Sequence, residues 1–188
     1  MRLVTSIILS LVLSLSCPGI GLLNPFILFP PTGGTAWVTD SSSGTLRNDF
    51  TGQVGTGFTV SSTITITELG IWVVSGSVSV VTVSLYSAAG YGISNTRTLL
   101  KSGTISTTGL PVGWNYVSIT PQSVSSGTTY FVSRSVVSSG DQWYDQYTPT
   151  ITSAATIVDS AYSNPVDNYF SKFGTSSGKM YGGVDFKY

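Results

Sequence analysis

The chain has 188 residues and a mass of 19.8 kDa, enough to bury one hydrophobic core. Its charge is sparse and balanced: Lys and Arg total 8, Asp and Glu total 8, and the formal net charge is +0, so nothing stands ready to neutralise a phosphate backbone, and nucleic-acid binding is a poor reading. His is absent and Cys17 is the one cysteine, which excludes His-based triads, Cys–His dyads, His-ligated metals and any intrachain disulfide.

The first stretch, MRLVTSIILSLVLSLSCPGIG, carries Arg2 ahead of a short apolar run and small residues, Ser14 and Ser16, before Cys17. It reads as a secretory signal peptide over residues 1–21 and places the protein outside the cell or on its surface. Two other readings stay open. One is a membrane anchor, for which the apolar run is short. The other is a lipidated Cys17, for which Ser14 stands where a bulky aliphatic residue is expected. Residues 22–36 follow as a Pro- and Gly-containing segment that breaks both helix and central strand.

From residue 37 to 188 the pattern is β. In STITITELGIWVV, Ile64 and Ile66 alternate with threonines, and simple alternation places Glu68, the one glutamate, on their face, with Arg134 or Arg97 as its partner. In VTVSLYSAAG, Val81, Val83 and Leu85 point inward while Thr82, Ser84 and Tyr86 point out, and Gly90 and Gly92 mark a turn. RTLLKSGTIS is a further strand. GLPVGWNYVSITP is another, with Val117 and Ile119 on one face. SSGTTYFVSRSVV puts Tyr130, Val132 and Arg134 on one side and Phe131 and Ser133 on the other. GDQWYDQY, AATIVDSAY and MYGGVDFKY supply weaker closing elements. No window carries a capped helical stripe. Short strands between Gly, Ser and Pro turns predict one all-β domain over 37–188, an antiparallel β-sandwich of jelly-roll or Ig-like topology.

The densest chemistry lies in DQWYDQY. Trp143, Tyr144 and Tyr147 offer rings for the apolar face of a sugar, and Asp141 and Asp145 offer acceptors for its hydroxyls. Packing against the core is the simpler account of the same residues, and the remaining tryptophans, Trp37, Trp72 and Trp114, read as core or rim. Glycoside hydrolysis would need Glu68 facing a second carboxylate from Asp141, Asp145, Asp159, Asp167 or Asp185, and no spacing selects a pair. No cofactor is expected beyond a structural calcium, for which Asp159, Asn164, Asp167 and Asn168 are the candidate ligands, with Asp40, Asn48 and Asp49 as a second group.

The order of GQVGTGFTV, ITELGIW, VSLYSAAG, WNYVSITPQSVSSGTTYFV and MYGGVDF resembles the DUF4082-related secreted β-sandwich domains, found mainly in bacterial extracellular and surface proteins. The resemblance spans residues 52–186. It implies inward positions for Phe58, Leu69, Leu85, Tyr130 and Phe186. For Gly70, Gly90 and Gly127 it implies turns or close backbone approach. It implies no catalytic residue. The expected function is therefore a secreted, non-catalytic surface or matrix domain acting through protein contact or self-association. A carbohydrate-binding module built on the aromatics near Trp143 is the alternative, and a carboxylate-based glycoside hydrolase comes third. Low charge favours the first, because a Ser/Thr-coated surface without net charge stays wet yet repels its own copies weakly. No nucleic-acid partner and no stable membrane span are expected.

Overall fold

The computed structural model describes residues 34–75, 79–88, 97–165, 169–172 and 178–188. The expected signal peptide over 1–21, Cys17, the expected turn at Gly90 and Gly92, and Asp167 and Asn168 lie outside the described residues. Among the described residues there is no helix, so none is long and apolar enough to cross a membrane.

The strands in chain order are β1 (Leu46–Arg47), β2 (Gly52–Val60), β3 (Ile64–Val73), β4 (Val80–Ala88), β5 (Arg97–Ser106), β6 (Gly113–Val124), β7 (Thr129–Val136), β8 (Trp143–Tyr144), β9 (Ala155–Ser163), β10 (Ser171–Lys172) and β11 (Val184–Lys187). All the pairings are antiparallel, and they form three sheets. A six-stranded sheet runs β10-β9-β2-β7-β4-β5, a three-stranded sheet runs β11-β3-β6, and β1 pairs with β8 alone. The expected all-β sandwich is the observed architecture.

Period-two alternation explains most of the core. Phe58 and Val60 from β2, Val81, Val83 and Leu85 from β4, and Tyr130 and Val132 from β7 meet Leu69, Ile71 and Val73 from β3 and Val184 and Phe186 from β11. The five residues implied to point inward, Phe58, Leu69, Leu85, Tyr130 and Phe186, all lie in this layer. Trp37 belongs to it as well. Its ring stacks on Phe186 at 4.9 Å and meets Phe58 at 5.4 Å, and its indole N–H donates to the Ala155 carbonyl at 3.2 Å.

Alternation fails in two places. The β3–β6 register shifts between Ile66 and Glu68, so the inward positions run Ile64, Ile66, then Leu69, Ile71, Val73. Glu68 therefore faces away from the core, opposite to the side that uninterrupted alternation assigned it. On β4, Ser84 and Tyr86 point outward as expected but are buried. Phe170 lies against Tyr86 edge-on at 5.4 Å and stacks on Phe131 at 4.7 Å, roofing part of the outer face of the large sheet. A hairpin-end residue far along the chain thus hides a face that the strand pattern marks as solvent.

Candidate functional site

The DQWYDQY segment folds as a strap across one end of the sandwich. Trp143 on β8 is fully buried with Val54, Val136 and Tyr181; Tyr181 meets it edge-on at 4.8 Å, and the Arg47 guanidinium lies 5.5 Å from its ring centre. Its ring has no face open to a ligand. Arg47 also donates to Asp145 at 3.0 Å and, through two nitrogens, to Asp49 at 2.9 Å. The bond to Asp49 is the main reason that the guanidinium is held more firmly protonated, and it draws the Asp49 carboxyl below its ordinary range. Asp141 is buried and accepts the Thr107 hydroxyl at 2.9 Å. Tyr147 is buried, exchanges backbone hydrogen bonds with Met180, and directs its hydroxyl to the Met180 sulfur at 3.3 Å. Tyr144 is half-buried, and its carbonyl accepts the Gly182 N–H. The segment ties residues 45–47 and 180–182 to the domain, and its aromatics pack.

Of the calcium candidates, Asp159, Asn164, Asp40, Asn48 and Asp49 fall among the described residues. Asp159 is buried on β9 opposite Gly57, and Asn164 follows that strand. Asp49 is paired with Arg47, and Asp40 accepts the Thr150 N–H at 2.8 Å. Among the described residues no three Asp, Glu, His or Cys side chains gather as a metal-holding group.

Sequence reasoning missed a cluster on the outer face of the three-stranded sheet. Downstream of the bulge, β3 presents Glu68, Gly70 and Trp72 there, beside Ser118, Tyr116 and Trp114 on β6 and Lys187 and Asp185 on β11. Lys187 bonds Glu68 at 2.7 Å and lies 4.1 Å from the Tyr116 ring centre. Gly70 is the notch that permits this arrangement: a Cβ there would come within 2.5 Å of the Tyr116 ring. Lying across that notch, Tyr116 donates its hydroxyl to Asp185 at 2.6 Å, while the other Asp185 oxygen accepts the Val38 N–H at 3.0 Å. Asp185 is fully buried, and desolvation raises its pKa to about 7, against the pull of those two hydrogen bonds. Arg134 does not approach Glu68. It is buried in the sandwich, donates to the Trp72 carbonyl at 3.2 Å, and burial lowers its pKa to about 10 despite the field of Asp141. Trp72 and Trp114 meet edge-on at 5.4 Å, and the Trp114 indole N–H donates to the Asp40 carbonyl. The spacing in WNY and VDFK hints at paired outward residues, but only the strand register brings the two together.

Among the described residues, one margin of the sandwich leaves two long strand edges unpaired. There β5 ends the large sheet and β6 ends the small one, and Val117 of β6 seats directly over Gly103 of β5. Among the described residues no strand pairs with the outer edge of either, and both are half-buried or exposed along most of their length. Exposed apolar side chains lie at both ends of β5: Leu99, 52% exposed, near its start opposite Tyr86, and Val80 at 67%, Val112 at 58% and Leu110 at 36% toward its far end. Val80 lies opposite the end of β5 at Ser106, and Leu110 and Val112 sit in the connection from β5 to β6.

These features define a β-sandwich module whose outer faces carry packed aromatic and charged clusters and whose one margin is open. The chain belongs to the family described as domain of unknown function (DUF4082), whose model matches residues 40–181. No curated protein and no solved structure matches it.

Proposed function

We propose that this is a secreted or cell-surface, non-catalytic domain that works by protein contact, with another copy of the domain as the partner its open margin fits best. The observation that carries the reading is the pair of long strand edges, β5 and β6, lying side by side and bordered by exposed Val80, Leu99, Leu110 and Val112. Unpaired strand edges accept further strands, and exposed apolar residues along such an edge add surface for a second chain to cover. Native edge strands that stay solitary are usually short or rich in charge. β5 runs ten residues with Lys101 as its one charge inside Arg97, and the formal net charge of +0 sets no barrier between copies. The test is sedimentation velocity over a concentration series, comparing the wild-type domain with Leu99→Lys/Val112→Lys. Reversible association of the wild type that the variant weakens at least tenfold supports the reading. A wild type that stays monomeric throughout, or association indifferent to the variant, overturns it.

A carbohydrate-binding reading has one observation in its favour and moves away from Trp143. Trp72 and Trp114 are half-buried on the outer face of the small sheet, whereas Trp37 and Trp143 are fully buried. Saturable binding in a glycan array that Trp114→Ala abolishes and Trp143→Ala leaves in place would establish it; silence across the array would remove it.

A further inference from the structure

Residues 34–39 form a segment held by isolated bridges on both sides. On one side Thr35 and Tyr188 exchange both backbone hydrogen bonds, at 3.0 and 3.1 Å, and the Trp37 N–H donates to the Phe186 carbonyl at 3.0 Å. On the other side the Thr152 N–H donates to the Trp37 carbonyl at 2.8 Å, and the Thr39 N–H donates to the Thr150 carbonyl at 2.9 Å. The segment is thus clasped between β11 and residues 150–152, with Ala36 opposite Lys187 and Val38 opposite Ile151. Trp37 passes through the clasp into the core, and Asp185 holds the Val38 N–H. Without the segment, β11 would show a bare edge and Phe58 and Phe186 would lose the indole that covers them.

The chain that leads out of this slot is a run of small residues. Ser41, Ser42, Ser43 and Gly44 connect Asp40 to Thr45, with Gly44 at φ 108° and all but Ser42 exposed. All the hydrogen bonds named for residues 34–39 go to positions more than a hundred residues further along, so none of them depends on the segment's own neighbours in sequence. A segment held only by distant partners, through a Ser/Gly connection, makes the same contacts whichever copy supplies it.

We propose that residues 34–39 exchange between two copies of the chain, each copy's Trp37 segment filling the slot between β11 and residues 150–152 of the other. This rests on the self-association part of the reading above and gives it a second, independent contact. Because the slot contacts are identical in the closed and exchanged forms, the balance between them is set by concentration and by the extension of residues 41–44. An open chain with an empty slot is the costly state, so exchange is slow under native conditions and rapid during refolding.

The experiment uses the Ala36–Lys187 register. In a full-length Cys17→Ser background, one chain carries Ala36→Cys and another Lys187→Cys; the two are unfolded, mixed at high concentration, refolded and oxidised. Exchange gives a disulfide-linked heterodimer on non-reducing gels, in about half of the dimers if the chains mix at random. A control chain carrying both substitutions reports that the two positions are close enough to bridge. If that control closes within one chain while the mixed chains give no heterodimer, the exchange is overturned. Sedimentation of the same sample separates the two ideas: persistent association without the cross-link leaves the β5/β6 contact standing, and a monomer removes both. Should Lys187→Cys fail to fold, Thr35→Cys with Tyr188→Cys probes the facing pair one position along.

Discussion

The two margins of the sandwich manage their strand edges in opposite ways. At one margin, β11 is capped by the Trp37 segment and the large sheet ends in the two-residue β10. At the other, β5 and β6 are long and uncovered among the described residues. A short or covered edge gives a second chain little to pair with, whereas a long bare one is a template. The first margin is therefore expected to carry stability and, on the proposed reading, the second to carry contact, because the side chains at the two differ widely in burial.

The largest test of that contrast is Trp37→Ala. Removing a fully buried indole that packs on Phe58 and Phe186 is expected to lower unfolding free energy by about 3–5 kcal/mol in urea titrations. Leu99→Lys/Val112→Lys at the open margin is expected to change it by under about 0.5 kcal/mol per site. Comparable losses at both margins would break the comparison.

Asp185 provides the next test, through pH. Its pKa is about 7 in the folded protein against 3.8 as the reference value, so the folded state holds this proton more tightly than the unfolded state does. The stability it supplies is complete below the reference value and disappears as pH rises to about 7. Tyr116, the Val38 N–H and Lys187 face the same carboxyl, and each favours its charged form. Relative to the wild type, Asp185→Asn is expected to flatten the pH dependence of stability between these limits by a few kcal/mol at most, since each pKa unit is worth about 1.4 kcal/mol. Parallel pH profiles for the two proteins would show that the carboxyl titrates as an ordinary one.

Glu68→Gln should have a smaller effect than Trp37→Ala or Asp185→Asn. Its ion pair with Lys187 is partly solvated, with 22% of the lysine side chain exposed, so the expected loss is about 1 kcal/mol and it should shrink in high salt. A loss that salt does not alter would mean that packing against Tyr116, and not charge, holds the pair.

How far these features were legible follows from the range of the forces behind them. Alternation along β4 and β7 marks Leu85 and Tyr130 as core because each strand's pleat is a local property, whereas Phe58 is marked only by the family resemblance. The same logic misplaces Glu68, since one bulge within β3 inverts every later position and no local residue announces it. DQWYDQY reads as a ligand platform or, more simply, as a packed strap. What decides for packing is Tyr181 and Arg47, which lie far from it in sequence. Trp37 stands at the start of the β pattern and reads only as core or rim, because its slot exists only once β11 and residues 150–152 have come together.

By itself the sequence determined the class of this protein. A balanced, sparse charge, no His, one Cys and repeated β-branched alternation leave an all-β domain with little catalytic repertoire, because composition and period-two burial act residue by residue. Only the tertiary structure decided which aromatics are sealed, which carboxylate is desolvated and which strand edges stay open. Those properties arise from register and sheet order, which join residues far apart in the chain and are written in no single segment.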